Sequence, residues 1–353
     1  MGSRPADLIR KGINMKYKKV IVTERGGPEA LKVIEAELRP PSTGEARIKI
    51  LAAPVCAPDI TARYGQSPLV PKPPFTPGYA FIGIVDALGP QSQSSSERAQ
   101  PVAVGDRVGG LTAYGAYAET IYWKTEALIP VPQTVDPAEA VPLILNYIVA
   151  YHALHRWAHV TAGDKVLIIG ASGGIGTAFL QLGRLADLRM YGIASKSKHA
   201  ILTEYGAVPI DYHSQDFLQV IRQAEPDGLD AVFDGMAGDY LKRGYSLLRR
   251  GGTLVGYGNP LSYSGMFKDL GWVAWYSLLP DGKKAKYYST GISRVNRQMF
   301  LDDWATLFRL LEEGVIKPVI AGKYPILEAG KANAELESGR VIGNIVLLAP
   351  ELM

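Results

Sequence analysis

Residues 165–176 join a short apolar run to a cluster of small residues, and a helical pattern follows at once. The run 165–169 is rich in β-branched residues, and apolar side chains recur at helical spacing over 177–185. A strand that passes through a tight turn into a helix offers an anion the free N–H groups and positive dipole end of that helix. We therefore predict a nucleotide pyrophosphate site at this turn, formed by Ala171, Ser172, Gly173, Gly174, Ile175 and Gly176.

The turn departs slightly from the dinucleotide fingerprint, because Ala171 stands where the first glycine is usual. The alternative is a glycine-rich turn that binds nothing. A strand before the turn and a helix after it favour the binding site.

The residues after the second strand, 189–194, predict which dinucleotide is bound. An NAD site places a carboxylate about 20 residues after the glycines, to hold the ribose 2′-hydroxyl. No Asp or Glu lies between Asp187 and Glu204, whereas Ser195 and Lys198 follow the strand. Because an ammonium group attracts a 2′-phosphate, we predict NADPH over NADH; the alternative is a solvated basic loop. Tyr212, after the third strand, is predicted to lie against the adenine.

Composition excludes several classes of protein. Of the 353 residues 47% are hydrophobic and 20% charged, and the net charge is +4 without a long basic run, so nucleic acid and anionic membranes are poor candidates as partners. The single cysteine, Cys56, excludes an internal disulfide and a cysteine-rich structural zinc site. No signal peptide or membrane span is predicted, which favours a cytoplasmic enzyme. Residues 1–14 are expected to be an extension that precedes the first strand.

The chain changes character along its length. Residues 18–130 contain short strands separated by Gly and Pro, whereas strands and helices alternate from residue 164 onward. Alternation of this kind predicts a parallel sheet covered by helices on both faces. We predict an α/β fold with a β-rich domain over 1–144 and a doubly wound Rossmann domain over 145–293.

Several motifs occur together in the order typical of one family. They are Pro77-Gly78 with Gly83, the segments 104–108 and 115–119, the turn 171–176, the segment 232–234, and the segment 339–346. In this combination the chain resembles the medium-chain dehydrogenase/reductase superfamily, in its zinc-independent quinone oxidoreductase and enone reductase branch. The resemblance implies that the domain over 1–144 is a GroES-like catalytic domain and that residues 294–353 return to it. It implies NADPH held in a cleft between the catalytic and Rossmann domains. It also implies a homodimer paired through edge strands, for which 286–292 is the candidate here.

Zinc-dependent relatives hold their catalytic metal with a cysteine, a histidine from a Gly-His-Glu turn and a third Cys or Asp. In this chain Cys56 matches the first ligand, but Tyr79 and Ala80 replace the histidine and the glutamate. No histidine precedes His152. Since zinc needs about four N, S or O ligands, we expect no catalytic zinc.

The lack of a Lewis acid favours conjugated acceptors over isolated ketones. Hydride attack on an enone or quinone spreads negative charge to a distant oxygen, which hydrogen-bond donors can stabilise. The expected reaction is therefore NADPH-dependent reduction of a quinone or of a C=C bond conjugated to a carbonyl. The candidate catalytic residues line the pocket where relatives bind metal: Tyr79, Tyr64, Asn146 and Tyr147. The alternative for each is a buried wall residue.

Three further features leave alternatives open. His152, His155 and His159 are either a structural or exposed histidine face or a metal site. The aromatic segment 257–286 is either a substrate wall or part of a dimer interface. Arg340 either reaches the 2′-phosphate, as the resemblance suggests, or forms a surface salt bridge. The alternative function is a catalytically weak NADPH-binding protein with a structural or regulatory role.

Overall fold

The computed structural model describes residues 15–66, 70–90, 102–258, 263–291 and 296–353. The expected extension 1–14 lies outside these residues, as does residue 292 of the candidate dimer edge.

Strands and helices are numbered here in chain order within those ranges. The strands are β1 (Lys16–Val22), β2 (Leu31–Glu37), β3 (Glu45–Val55), β4 (Ala80–Leu88), β5 (Arg107–Leu111), β6 (Thr120–Lys124), β7 (Ile129–Pro130), β8 (Lys165–Ile169), β9 (Arg189–Ala194), β10 (Val208–Asp211), β11 (Leu229–Asp234), β12 (Leu248–Gly256), β13 (Lys284–Tyr287), β14 (Ile320–Pro325) and β15 (Asn344–Leu348). The α-helices are α1 (Ala57–Arg63), α2 (Pro137–Pro142), α3 (Ile148–Tyr151), α4 (Gly174–Leu185), α5 (His199–Glu204), α6 (Phe217–Ala224), α7 (Asp239–Ser246), α8 (Tyr263–Leu278), α9 (Arg297–Glu312) and α10 (Ala329–Glu337).

The chain divides into two compact units. The first contains the described residues up to Leu145, together with Gly322–Arg340 and Ile345–Met353. The second contains Asn146–Ala321 and Val341–Asn344. It therefore includes α9 and extends past residue 293, where the Rossmann domain was predicted to end, because the apolar face of α9 packs within it. Trp304 and Leu307 of that face are buried.

The second unit is built on a six-stranded sheet with the order β10-β9-β8-β11-β12-β13, and its recorded pairs are parallel. This is the doubly wound order 3-2-1-4-5-6, which reverses direction between β8 and β11. The predicted strand 189–194 matches β9, and the apolar run 229–234 forms β11. The α/β class and the Rossmann-type sheet are confirmed.

The first unit contains the antiparallel sheet expected of its β-rich sequence. Its strand order is β14-β15-β3-β4-β5-β7, and β6 pairs with β3. The pairs of β3 with β4, β6 and β15 are antiparallel. Because β3 is flanked on both sides, most of its eleven residues are buried, including Ile48 and Ile50. The strand ends at Val55, and Cys56 caps the start of α1.

The helical region that begins with α2 and ends at Ala158 is irregular. The segments Leu143–Tyr147 and His152–Ala158 adopt the wider turns of a π-helix on either side of α3. Pro142, which precedes the first of them, has no N–H group for an α-helical bond. Turns of this type often mark functional sites, and the first one contains Asn146 and Tyr147.

Candidate active site

The glycine turn lies at the carboxyl end of β8, beside the point where the strand order of the second unit reverses. Gly170 follows β8 with φ +85°, a conformation that favours glycine, and Gly173 caps α4. The first hydrogen bond of α4 runs from the Thr177 N–H to the Gly173 carbonyl, at 2.8 Å. The N–H groups that precede Thr177 in the helix have no acceptor within it and carry the positive end of its dipole. In sheets of this order, nucleotide phosphates bind at this place.

Two glycines of the turn serve different purposes. A Cβ atom on Gly176 would lie 2.3 Å from the carbonyl oxygen of Gly170, so only glycine lets α4 approach β8 this closely. A Cβ atom on Gly173 would have its nearest neighbour at 3.7 Å, so the protein itself leaves room there. Bare backbone with open space above it is what a pyrophosphate requires, and these residues fit a dinucleotide.

Gly174, the remaining glycine of the turn, lies against two amide side chains. The Asn146 Nδ2 donates a hydrogen bond to the Asn344 Oδ1 at 2.6 Å, and both side chains are buried. A Cβ atom on Gly174 would lie 2.5 Å from the first of these atoms and 2.7 Å from the second. Asn146, a predicted catalytic residue, is therefore held at the start of α4, beside the predicted cofactor turn.

Ser195 and Lys198 lie after β9, as predicted from the sequence. The Ser195 hydroxyl is 3.3 Å from the hydroxyl of Ser197, and the Lys198 Nζ donates to the carbonyl of Val341 at 2.9 Å. Partial burial lowers the pKa of Lys198. The C-terminal segment that contains Val341 thus lies beside the basic residues that were assigned to the 2′-phosphate.

Sequence reasoning missed one carboxylate in this region. Asp211 ends β10, which neighbours β9 in the sheet, and its side chain is largely buried. The carboxylate accepts the Ser214 hydroxyl at 2.6 Å and the His213 N–H at 3.2 Å, and these bonds hold its pKa below the usual value. The strand order is the signal that could have found it, because the ends of the second and third strands meet at one edge.

Two further residues assigned to the cofactor lie on the surface of their units. Tyr212 is about half exposed, and its ring centroid is 4.1 Å from that of His213. Arg340, in the first unit, has a side chain that is 77% exposed, with its guanidinium 3.8 Å from the carboxylate of Glu335. The salt bridge that was left open as an alternative for Arg340 is thus present, as a long contact.

In the first unit, a buried carboxylate organises the turn that carries Tyr79. Asp59 accepts the N–H groups of Cys56 at 2.9 Å and Gly78 at 3.0 Å, and the hydroxyl of Tyr117 at 3.0 Å. It also accepts the backbone N–H of Tyr79. Burial outweighs these bonds and raises the pKa of Asp59 to about 6. The sequence showed Asp59 only as part of the loop with Tyr64, and nothing in it indicated that this residue holds the neighbouring turn.

The Tyr79 backbone is fixed from its other side as well. Its carbonyl accepts the N–H of Thr112 at 2.8 Å, and the Thr112 hydroxyl donates to the Gly78 carbonyl at 2.8 Å. Gly78 has φ +109°, and a Cβ atom there would lie 2.7 Å from the ring of Tyr117. Tyr79 is half-buried and is anchored through its main chain, so the turn positions its phenol.

The other candidates near this turn are placed differently. Tyr64 is 41% exposed, and the guanidinium carbon of Arg63 lies 4.9 Å from its ring centroid. The Cys56 thiol is buried, and burial together with the nearby Asp59 carboxylate raises its pKa well above the usual value. A thiol that resists deprotonation is a poor metal ligand and a poor nucleophile.

Tyr147 and His152 are committed to contacts within the second unit. Tyr147 is fully buried and donates its hydroxyl to the Gln181 Oε1 at 2.9 Å. The Nε2 of His152 is 2.8 Å from the Asp303 Oδ2, and its Nδ1 is 3.1 Å from the Tyr288 hydroxyl. Both ring nitrogens of His152 therefore have structural partners, which favours the structural interpretation of the histidines.

Within the aromatic segment 257–286, the helix α8 presents aromatic side chains on two faces. Its inner face packs on the sheet, with Tyr276 stacked on Tyr245 at 4.0 Å and Trp272 beside it at 5.7 Å. Its outer face exposes Phe267 and Trp275. A single role for all of these aromatic side chains is therefore too simple.

The described residues contain neither a candidate metal cluster nor a helix suited to cross a membrane. No group of three or more His, Cys, Asp or Glu side chains is arranged to hold a metal ion there. Within the same ranges, no helix combines the length and the apolar character that crossing a bilayer requires.

Comparison with known proteins is consistent with this architecture. A family model described as the Alcohol dehydrogenase GroES-like domain matches residues 42–133, and one described as Zinc-binding dehydrogenase matches residues 205–347. The chain is 29% identical over 344 residues to the Synaptic vesicle membrane protein VAT-1 homolog of Danio rerio, covering 94% of this chain and 70% of that protein. It is 28% identical over 340 residues to Quinone oxidoreductase of Mus musculus, covering 93% and 96%.

A solved mycobacterial structure complexed with NADPH has a TM-score of 0.79 to this chain at 26% identity, covering 94% of this chain and 99% of the other. The chain belongs to the medium-chain dehydrogenase/reductase superfamily. The similarities support an oxidoreductase with a nicotinamide cofactor.

The two roles of the turn glycines can be separated by substitution. Gly176→Ala forces backbone atoms apart and is expected to lower the free energy of unfolding by about 1–3 kcal/mol. Gly173→Ala is expected to change it by less than about 0.5 kcal/mol, and to weaken dinucleotide binding about tenfold. Denaturation and NADPH fluorescence titration measure the two effects. Equal stability loss in both variants would contradict this assignment.

The raised pKa of Asp59 makes a pH-dependent contribution to stability. Because the folded state holds the proton more tightly than the unfolded state, whose value is near 3.8, stability is lost as pH rises from about 4 to above 6. The difference in unfolding free energy between wild type and Asp59→Asn should fall by about 2–3 kcal/mol over this range. The exposed Asp227→Asn serves as the control. A difference that stays constant from pH 4 to pH 7 would show that Asp59 has an ordinary pKa.

Proposed function

We propose that this chain is an NADPH-dependent oxidoreductase that reduces quinones or C=C bonds conjugated to a carbonyl, without zinc. The observation that carries the proposal is the intact phosphate turn of the second unit, with Ser195 and Lys198 after the adjacent strand. The mouse relative named Quinone oxidoreductase and the mycobacterial structure with NADPH support it.

The residues of the turn would hold the dinucleotide. Its pyrophosphate would rest on the first N–H groups of α4, above the bare backbone at Gly173. Lys198 would approach the 2′-phosphate, and Tyr212 the adenine. When bound, NADPH supplies the hydride; the protein orients the reactants and stabilises charge.

Charge stabilisation at the substrate oxygen is proposed for Tyr79. When a conjugated acceptor is reduced at carbon, its carbonyl oxygen gains negative charge, and a phenol can donate a hydrogen bond to it or deliver a proton. Asp59 holds the Tyr79 backbone, so the turn need not reorganise as charge develops. Tyr64 is proposed as a second donor at the substrate, and Asn146 as a contact of the nicotinamide.

The case against a catalytic zinc rests on the donor atoms of this chain. Tyr79 and Ala80 stand where zinc-dependent relatives have His and Glu, and Cys56 matches a single ligand of that set. Zinc binds the thiolate and requires further N, S or O ligands. The family model that matches residues 205–347 is described as Zinc-binding dehydrogenase. The residues of this chain at the metal-ligand positions nevertheless favour a metal-free reaction.

A second candidate is a catalytically weak NADPH-binding protein with a structural or regulatory role. The zebrafish relative named as a synaptic vesicle membrane protein favours keeping this candidate. Both candidates require the same phosphate turn, so cofactor binding does not separate them. Turnover does, in a panel of small quinones and aliphatic enones scored by NADPH consumption. The reductase consumes NADPH with at least one class; tight NADPH binding without consumption supports the second candidate.

Substitution of Tyr79 tests its proposed role. Tyr79→Phe removes one hydrogen-bond donor and is expected to lower kcat about ten- to a hundredfold. The dissociation constant for NADPH should change less than about twofold, because the phosphate turn belongs to the other unit. The exposed Tyr114→Phe is the matched control. A wild-type kcat in Tyr79→Phe would remove Tyr79 from the catalytic site.

The metal content tests the zinc-free mechanism. Protein purified without chelator is expected to contain well under one zinc per chain by elemental analysis, and dialysis against a chelator should leave the rate of NADPH consumption unchanged. Stoichiometric zinc, or activity that needs added zinc, would contradict the mechanism.

A further inference from the structure

Four residues near the C-terminus form a short segment that we call the strap, Val341–Asn344. They belong to the second unit, although the residues on either side, Gly322–Arg340 and Ile345–Met353, belong to the first. The chain thus enters the nucleotide-binding unit for four residues only. The strap lies between the end of α10 and β15, whose first residue is Asn344. Its conformation therefore depends on what it contacts.

One contact of the strap is the phosphate turn. The N–H of Gly343 donates to the carbonyl of Ser172 at 2.9 Å, and Gly343 forms a parallel bridge with Gly173. These main-chain contacts involve the residues that would lie under the pyrophosphate. Displacement of the strap would therefore move the turn.

The other contact is Lys198. Its Nζ donates to the carbonyl of Val341 at 2.9 Å, so the strap fixes where the ammonium lies. An ammonium carries three donors, and a bond to a neutral carbonyl does not neutralise its charge. The strap thereby links the turn and the basic residue assigned to the 2′-phosphate.

Hydrogen bonds to the Val319 carbonyl hold the strap in place. The Asn344 N–H and the Asn344 Nδ2 both donate to the Val319 carbonyl, at 2.8 and 3.0 Å. Gly343 has φ +80°, and a Cβ atom there would lie 2.3 Å from the same carbonyl oxygen. The hydrogen bond from Asn146 to Asn344 fixes the remaining side-chain acceptor. A side chain at position 343 would consequently force the strap to shift.

We propose that the strap determines cofactor choice, by holding Lys198 in register with the phosphate turn so that a 2′-phosphate and a pyrophosphate are bound together. The proposal rests on the proposed NADPH-dependent function. Gly343 and Asn344 are positioning residues in it, since they act through Lys198 and the turn. Loss of the strap geometry should weaken NADPH binding more than NADH binding, because only NADPH carries the phosphate that Lys198 attracts.

The test compares two glycines with similar backbone angles. Gly339, before the strap, has φ +71° and no atom within 4 Å of an added Cβ, so Gly339→Ala reports strain without collision. Gly343→Ala is expected to reduce the ratio of NADPH to NADH affinity about tenfold, whereas Gly339→Ala keeps the wild-type ratio. Fluorescence titration measures both affinities without turnover, and 2′,5′-ADP against 5′-AMP as competing ligands isolates the 2′-phosphate.

A double-mutant cycle sharpens the result. Lys198→Ala alone should lower the ratio of NADPH to NADH affinity. Adding Gly343→Ala should lower this ratio little further, since both substitutions act through one ammonium group. Asn344→Ser is a milder change and should lower the affinity ratio to a smaller extent. This variant tests the proposal if Gly343→Ala does not fold. Additive effects, or a wild-type ratio in folded Gly343→Ala or Asn344→Ser, would overturn the strap proposal alone. Wild-type protein that binds neither dinucleotide would overturn the proposed function as well.

Discussion

The close approach of α4 to the carboxyl end of β8 is the contact on which the rest of the site depends. Gly176 permits it, because any side chain there would meet the backbone of Gly170 and Ala171. The approach directs the unsatisfied N–H groups of the helix over the edge of the sheet at the point where the strand order reverses. Asn146 lies beside this turn, and the strap bonds to its Ser172 carbonyl. Both therefore add contacts to a site that the start of the helix already defines.

The first unit contributes a different kind of order. Asp59 is buried and accepts several hydrogen bonds, and it thereby joins the start of α1 to the turn that carries Tyr79. A buried carboxylate is costly unless it is well bonded, so its presence indicates a turn that must stay in place. Burial, together with the charge of this carboxylate, also raises the pKa of the Cys56 thiol well above its usual value. Asp59 therefore affects both the turn that carries Tyr79 and the thiol beside it.

Local patterns in the sequence predicted much of this structure. Strands β9 and β11 and the start of α4 follow directly from apolar runs and glycines, because those signals act between near neighbours. The surroundings of the turn were not predictable in this way. The strap contacts it from about 170 residues along the chain. The split of α8 into a packed and an exposed aromatic face, and the commitment of Tyr147 to Gln181, depend on tertiary packing that no spacing rule encodes.

We propose that hydride passes from a dinucleotide at the turn after β8 to the carbon of a conjugated acceptor. The direct measurement is transfer of deuterium from NADPH labelled at one face of C4 to an aliphatic enone, read by mass spectrometry and NMR of the product. The account predicts deuterium at the β-carbon from one of the two labelled stereoisomers only. A product without deuterium from either stereoisomer, formed while NADPH is consumed, would contradict it.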